Sequence, residues 1–409
     1  MRRKRVAILV QGLYGGGMER VAAQLSIMLS DAGYDTYIIV RDFDKRKAYR
    51  YKGKIILMPF EVCDGRQSLG VEFVFMLHNA YLLKRCKKAN KIDITISFAP
   101  EMNMMNMLSG TRDKKILTVH SCLSVRRDFT GLCYKYNTYR MYNYAYKVIA
   151  VSKWCKKDLV AHYGVNKNKV KVIYNPIENN GGQNRVLTKE NNVLIVGRLQ
   201  DIKQQWHIIR AFKMVIEKIP DAKLMIAGQG ENRKYLYNLC ADLGINNSVI
   251  FEGFVKEIEE LYQQVKCVVF SSASEAFPCA VIEAISQGVP VVAADCPGGI
   301  REIIAGNEDY GSRIEKATKV SGGILTPKLD GTKYDAKTPL TVAESELAKG
   351  IIYLLENTRA YAEAANNCLK ISLKFNKNRI MKEWLELMGD MEEHDLNVKK
   401  GKKNPFVDA

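Results

Sequence analysis

The chain has 409 residues, 47% of them hydrophobic and 26% charged, with a formal net charge of +18. The length suits two domains of about 200 residues each better than one. The composition excludes a disordered chain, a collagen and a heptad rod, and no run approaches the ~20 apolar residues of a spanning helix.

Met1 to Arg5 is basic, and Val6–Val10 is the first apolar run. It is too short for the hydrophobic region of a signal peptide and ends in Gln11-Gly12. It reads as a first β-strand, and the chain reads as cytoplasmic. Gly12–Gly17 reads as a loop, Met18–Ala32 as a helix ended by Gly33, and Tyr37–Val40 as the next strand. Further strands are expected at Ile92–Ser97, Ile116–Val119, Lys147–Val151 and Val170–Ile173. Asn179 to Asn184 is polar and Gly-bearing, the pattern of a linker. Beyond it, strands are expected at Asn192–Val196, Lys223–Ala227, Val249–Phe251, Cys267–Phe270 and Val289–Ala293, with helices such as Trp206–Lys218 and Arg233–Leu243 between them. A last helix, residues 376–391, carries Ile380, Trp384, Leu387 and Met388 at a spacing that needs a partner surface. Residues 396–409 read as a disordered tail. Apolar strands without alternation are buried on both faces, which means parallel sheets covered by helices. The expected class is therefore α/β: two doubly wound, Rossmann-like domains, residues 1–178 and 185–374. Ligands are then expected in the cleft between the carboxyl ends of their strands.

The excess charge is confined to one half. Residues 1–180 hold 32 Lys and Arg against 14 Asp and Glu, whereas residues 181–409 hold 30 of each. Lys84 to Lys88, Arg112 to Lys115 and Arg126-Arg127 are the densest basic clusters. An anionic partner follows: phospholipid, nucleic acid or a phosphorylated substrate. No RNA-binding signature, zinc finger or recognition-helix pattern supports nucleic acid, and the asymmetry between the halves favours an anionic membrane surface as the partner of this half. The ten cysteines form no C-x-x-C pair and no zinc-like spacing with histidine, so they read as reduced thiols and no metal site is expected.

Two constellations carry chemistry. In the first, the strand Cys267–Phe270 leads into Ser271 to Ala284, with Glu275 on the loop, Pro278 at the first turn of a helix, and Glu283 within that helix. A helix start favours anions and hydroxyl acceptors, and two carboxylates framing it can accept hydrogen bonds from sugar hydroxyls. In the second, a strand ends at Gly197, and Arg198 and Lys203 follow on one loop. Glycine lets backbone approach a ligand, Arg offers a planar fork and Lys a flexible point charge, a set that suits a diphosphate. In the first half, Gly16 and Gly17 precede Met18-Glu19-Arg20 at a helix start, an anion cradle. His120 stands at the carboxyl end of a strand. Asp42-Phe43-Asp44 has the D-x-D spacing of a metal site, but Lys45-Arg46-Lys47 follows directly, and it reads as a solvated turn.

Together these motifs, in this order, resemble the retaining glycosyltransferases of the GT-B fold, family four, over nearly the whole chain. The resemblance implies that Gly197, Arg198 and Lys203 grip a donor diphosphate. It implies that Glu275 contacts the transferred sugar, aided by loop amides near Ala276, Phe277 and Pro278, and that Glu283 contacts the nucleotide ribose. His120 matches an active-site histidine at the donor sugar, and Gly16-Gly17 the loop near the reacting centre. Val172 to Pro176 resembles the hinge, and the Phe375 to Trp384 segment resembles a helix that crosses back to the first domain. Ala276 stands where many members have glycine, and residues 307–340 run longer than in the shortest members. The function implied is transfer of a sugar from a nucleotide diphosphate sugar, UDP ahead of GDP, to a glycan or lipid-linked acceptor. It would serve bacterial surface polysaccharide synthesis, without cofactor or metal, at the inner face of the membrane. An epimerase or hydrolase of nucleotide sugars, or a non-catalytic partner subunit, would share the same two-domain shape.

Overall fold

The computed structural model describes residues 2–61, 68–125, 138–177, 190–306 and 312–401. The expected linker at Asn179 to Asn184 and the cluster Arg126-Arg127 lie outside these residues. In chain order the first half contains β1 (Arg5–Val10), α1 (Gly17–Asp31), β2 (Asp35–Val40), β3 (Lys54–Leu57), α2 (Leu69–Ala89), β4 (Ile94–Phe98), α3 (Pro100–Leu108), β5 (Lys114–Val119), β6 (Lys147–Ala150), α4 (Lys153–Tyr163) and β7 (Val170–Val172). The second half contains β8 (Asn192–Val196), α5 (Gln205–Lys218), β9 (Lys223–Ala227), α6 (Arg233–Asp242), β10 (Val249–Gly253), α7 (Glu259–Gln263), β11 (Cys267–Phe270), α8 (Cys279–Ser286), β12 (Val291–Ala294), α9 (Ile300–Ile304), β13 (Thr318–Val320), β14 (Gly323–Thr326), α10 (Val342–Glu356), α11 (Thr358–Ser372) and α12 (Lys377–Gly401).

Each half builds one seven-stranded sheet, ordered β3-β2-β1-β4-β5-β6-β7 and β10-β9-β8-β11-β12-β14-β13. The first is parallel throughout, and the second is parallel except for the edge strand β13. Ile8, Leu9 and Ile96 in one sheet and Val268, Val291 and Val292 in the other are fully buried, as strands covered on both faces must be. In both sheets the strand order reverses beside the first strand, between β1 and β4 and between β8 and β11. Such switch points open crevices at the carboxyl edge. The Gly12–Gly17 loop and the Gly197 and Ser271 loops begin there.

The last helix returns to the first sheet. Ile177 forms a parallel bridge with Asn376, its amide donating to the Phe375 carbonyl at 2.9 Å and its carbonyl accepting from Lys377 at 3.0 Å. From there Ile380, Trp384, Leu387, Met388 and Met391 of α12 join the core of Val6, Ile8 and Val10. At about 1.5–3 kcal/mol per buried large apolar side chain, this contact ties the chain's two ends together. The helix runs to Gly401, ten residues past the expected end, so residues 396–401, read from sequence as tail, are helical. Neither proline nor glycine interrupts residues 390–400. Residues 402–409 lie outside the described structure.

The basic cluster Lys84 to Lys88 also needs correction. Lys87 is buried and paired with Asp113 at 3.0 Å, with Asn106 as a further acceptor. Burial pushes its ammonium down to about 8 against the pull of Asp113. Only Lys84, Arg85 and Lys88 remain at the surface of that cluster.

In the second half the segment 327–340 is pinned to α5. Trp206 donates its indole N–H to the Thr332 carbonyl at 3.0 Å, and Arg210 donates to the Thr338 and Pro339 carbonyls, each at 3.0 Å. Arg210 and His207 both meet Glu344 at 2.8 Å, and Glu344 closes a capping box with Thr341 at the start of α10. Burial alone would raise the Glu344 carboxyl; hydrogen bonds from His207, Arg210 and the Thr341 amide outweigh it and hold the group at about 2. A carboxylate depressed by folding contributes stability above its unfolded value, near 4.3. That contribution is lost as pH falls toward the folded value. Urea unfolding across pH 7 to 2 should therefore show a steep loss below about 4.3. Glu344→Gln should cost about 3–5 kcal/mol at pH 7 by leaving Arg210 buried without its anion. The same variant should flatten the acid slope; an unchanged slope would contradict the assignment.

Candidate functional site

The site starts where β8 stops. Gly197 has φ 143°, in the region that favours glycine. A Cβ on Gly228 would stand 1.9 Å from the Gly197 carbonyl oxygen, and one on Gly230 would stand 2.3 Å from that of Leu199. Two glycines thus let the 228–230 turn lie directly on the loop that carries Arg198. Arg198 is exposed, and its charge reaches Glu19 of the first domain, whose carboxyl burial raises and Arg198 lowers.

Lys203 and Glu275 meet. The ammonium donates to Glu275 Oε1 at 2.6 Å, and the Ser272 hydroxyl donates to the same oxygen at 2.6 Å. Their loops, which follow β8 and β11, are spliced by backbone. The Ala273 amide donates to the Ile202 carbonyl at 2.9 Å, and the Ser271 hydroxyl to the carbonyls of Lys203 and Gln204 at 2.8 and 2.9 Å. On its other side Glu275 bridges Gly298: the Glu275 amide donates to the Pro297 carbonyl at 3.0 Å, and the Gly299 amide to the Glu275 carbonyl at 2.7 Å. Glu275 is thus held by backbone on both sides.

Ala276 is absent from the left-handed non-glycine residues, which among the described residues are Lys91, Ala99 and Gln204. Its backbone has no need of the glycine found in similar sequences. Phe277 stacks on Tyr174 of the segment after β7, centroids 5.2 Å apart, and meets Phe375 edge-on. Its ring is thus engaged in packing. Pro278 is the N-cap of α8 with extended backbone, one residue before the first-turn position expected from sequence.

The first domain closes over the start of α8. Gly16 is the N-cap of α1, and a Cβ on Gly17 would stand 3.1 Å from Cys279 Sγ. Arg20 donates to Glu283 Oε1 at 2.7 Å across the cleft. Burial raises the Glu283 carboxyl, and Arg20 opposes it. The sequence pattern marked Glu283 for a ligand but missed its partner; the charged Arg20 at a glycine-rich helix start was the available signal.

His120 follows β5. Its ring stacks on Phe98, centroids 5.2 Å apart, and Nε2 lies 3.1 Å from Thr118 Oγ1. Burial pushes the imidazole down to about 3, so it is neutral at physiological pH. Two residues on, the Cys122 thiol reaches the Pro297 carbonyl at 3.5 Å, the same carbonyl that accepts from Glu275. The His120 turn and the Glu275 loop therefore flank one segment. Beside it lies a cavity of about 560 Å³ lined by Trp154, Asp295, Cys296, Pro297, Arg301 and Lys328. Asp42 and Asp44 are engaged locally, by the Tyr14 hydroxyl and by the Arg46 amide respectively. Among the described residues no cluster of three His, Cys, Asp or Glu has a metal-holding arrangement.

Gly298 is the most constrained position. It has φ 129°, and a Cβ there would fall 1.7 Å from the Glu275 carbonyl oxygen. Gly298→Ala should displace Glu275 and cost more than about 3 kcal/mol in urea unfolding. A cost below about 1 kcal/mol, the ordinary range for surface changes, would contradict the bridge.

Two family models match the chain in succession: Glycosyltransferase Family 4 over residues 15–180 and Glycosyl transferases group 1 over residues 177–319. An uncharacterized glycosyltransferase of Methanocaldococcus jannaschii is 33% identical over 270 residues, 62% of this chain and 64% of the relative. A second from that organism is 36% identical over 39% of this chain and 44% of its own length. The aligned stretch thus spans less than two thirds of either relative. An N-acetyl-D-galactosaminyltransferase of Campylobacter jejuni, named for a diphospho-undecaprenol glycan, is 24% identical over 95% of this chain and 99% of its own. Among solved structures, Anabaena HepE in complex with UDP and glucose superposes with a TM-score of 0.71 at 20% identity, covering 95% of this chain and 100% of that one. At that identity the likeness is one of fold.

Proposed function

Because this chain belongs to the GT-B glycosyltransferases of the family-4 kind, we propose that it transfers a sugar, with retention at the anomeric carbon, from a nucleotide diphosphate sugar to a hydroxyl of a glycan or lipid-linked glycan. The observation that carries the reading is the Lys203–Glu275 pair at 2.6 Å, set at the switch point of the second sheet. A carboxylate for sugar hydroxyls and an ammonium for a departing phosphate stand side by side there. UDP is the donor base we favour, supported by the UDP and glucose held by the similar Anabaena fold. A lipid-linked acceptor is supported by the undecaprenol-linked substrate named for the Campylobacter relative. Assembly of a bacterial surface polysaccharide is the setting that suits such an acceptor.

In this reading the leaving diphosphate gains negative charge as its bond to the sugar breaks. Arg198 and Lys203 face that charge, and preorganised cations in a closing, water-poor cleft stabilise it most when it is fully developed. Lys203 turns from Glu275 toward phosphate while Glu275 keeps Ser272 and gains the sugar hydroxyls. The backbone of Gly16, Gly17, Gly197, Ala276, Phe277 and Pro278 lines the donor's path. Glu283 takes the ribose, which requires it to share or release Arg20. The cavity beside Cys296 and Pro297, with Trp154 on its wall, receives saccharide next to the reacting carbon. Neutral His120 contributes hydrogen bonding without charge. The basic first half holds the enzyme at the inner face of the membrane.

A panel of nucleotide sugars, read by nucleotide release with and without membrane extract, tests the reading. One donor should turn over only when extract is present, and Lys203→Ala should lower that rate by about a hundredfold, the range seen when one preorganised donor is removed from a developing charge. Sugar inversion or release without acceptor would instead indicate an isomerase or hydrolase, and no donor binding at all a non-catalytic subunit. Since His120 stays neutral down to about 3, protonation of His120 should add no acid limb near pH 6.5 to the rate profile. If a limb near 6.5 is present and His120→Asn removes it, the neutral-histidine assignment fails.

A further inference from the structure

Fifteen large apolar side chains of the described residues are exposed, and five of them, Val71, Phe73, Val74, Leu77 and Tyr81, belong to α2. The other ten are scattered over the rest of the chain. Single exposed apolar residues are ordinary, but a contiguous patch on one helix marks a surface that something covers. On α2 the apolar side chains recur at 73, 74, 77 and 81, the spacing of one helical face. Continuing along that face come Lys84, Arg85 and Lys88. The helix's one acidic residue, Glu72, is fully buried, so no anion interrupts the face. Its opposite side is firmly anchored: Met76, Leu83 and Cys86 enter the core, Asn79 exchanges two hydrogen bonds with the Glu61 backbone at 2.9 Å, and Lys87 pairs with Asp113. The outward face is therefore fixed in orientation. It is apolar in its first turns and cationic in its last.

We propose that α2 is a membrane-docking helix that lies in the surface of an anionic phospholipid bilayer. Phe73, Val74 and Leu77 enter the acyl boundary, Tyr81 sits at the headgroup level, and Lys84, Arg85 and Lys88 engage lipid phosphates. The division of the face matches the two phases of an interface, and an all-apolar partner would leave the three cations without counterions. Arg85 already lies over the Tyr81 ring, 6.0 Å from its centroid, at the junction of the two halves. No described helix is long and apolar enough to cross a membrane. α2 has 21 residues, and its basic end keeps it in the interface.

The topology sets the direction of docking. β3 runs parallel to β2, and β2 to β1, so the chain leaves β3 at the same edge of the sheet as the Gly12–Gly17 loop. The apolar first turns of α2 therefore lie toward the cleft edge, and the basic end lies away from it. Docked this way, the enzyme holds the cleft edge of its first sheet beside the bilayer surface, where the head of a lipid-borne acceptor would emerge.

The test uses the full chain and vesicles of phosphatidylcholine with and without phosphatidylglycerol, read by co-sedimentation. This measurement does not depend on the transfer reaction, so its failure and that of the transferase reading are distinguishable. The wild type should bind the anionic vesicles. A Phe73→Ser, Val74→Ser, Leu77→Ser variant should lose binding at every salt concentration. A Lys84→Gln, Arg85→Gln, Lys88→Gln variant should lose about a hundredfold at low salt and much less at high salt, since each cation near an anionic bilayer contributes ~1 kcal/mol that salt screens. Thermal melting in the wild-type range confirms that each variant is folded. If either does not fold, Leu77→Trp serves in its place, with a blue shift of its added indole emission expected on anionic vesicles alone. Binding unchanged in both variants, an unshifted emission from the Leu77→Trp variant, or a dimer that dissociates when the apolar triplet is changed would overturn the proposal.

Discussion

The site depends on a cation and a carboxylate held together at a strand edge. Lys203 and Glu275 are both partly buried, and each alone would be costly to desolvate. Pairing offsets that cost, and the Ser272 hydroxyl satisfies a second direction on the same carboxylate oxygen. The arrangement survives because it is not left to the side chains. The loops after β8 and β11 are joined by backbone hydrogen bonds, and the glycines at 228, 230 and 298 stand where a methyl group would strike a neighbouring carbonyl. Rigid backbone thus fixes both loops before any substrate arrives, so that in the proposed reaction only the Lys203 side chain has to turn.

The two halves share a buried apolar cluster that includes Cys122, Cys155, Phe277 and Val281. Directional contacts add to it: Arg20 reaches Glu283, the Lys153 amide reaches Glu302 at 3.0 Å, and Tyr174 donates to Glu302. The aromatic cluster of Tyr174, Phe277 and Phe375 joins the segment after β7, the loop of Glu275 and the approach to α12.

Much of this was legible in the sequence, for physical reasons. Buried parallel strands are unbroken apolar runs, so β1, β4, β5, β8, β11 and β12 stood out, and the spacing of Ile380, Trp384 and Leu387 announced a helix that needed a partner. β3 did not stand out, because its apolar run Ile55-Ile56-Leu57 is short and lies on a half-exposed edge strand. The antiparallel β13 was hidden for the same reason. Local motifs located Lys203 and Glu275 but could not say that they touch, since 72 residues separate them. Charge counting found a basic half yet could not see that Lys87 is internal, because burial is set by a distant Asp113. The apolar stripe of α2 was overlooked because exposed and buried apolar residues are mixed along that helix, and only the fold tells which face looks outward.

The central claim is that Lys203 recognises the phosphate that departs. Its most direct test compares nucleoside diphosphates with their monophosphates, UDP with UMP and GDP with GMP, by calorimetry on the wild type and on Lys203→Ala. If the ammonium meets the terminal phosphate, the wild type prefers the diphosphate and the variant loses about tenfold or more of that preference, the ~1.5–3 kcal/mol of a hydrogen bond to a charged group. An undiminished preference in the variant would contradict the account.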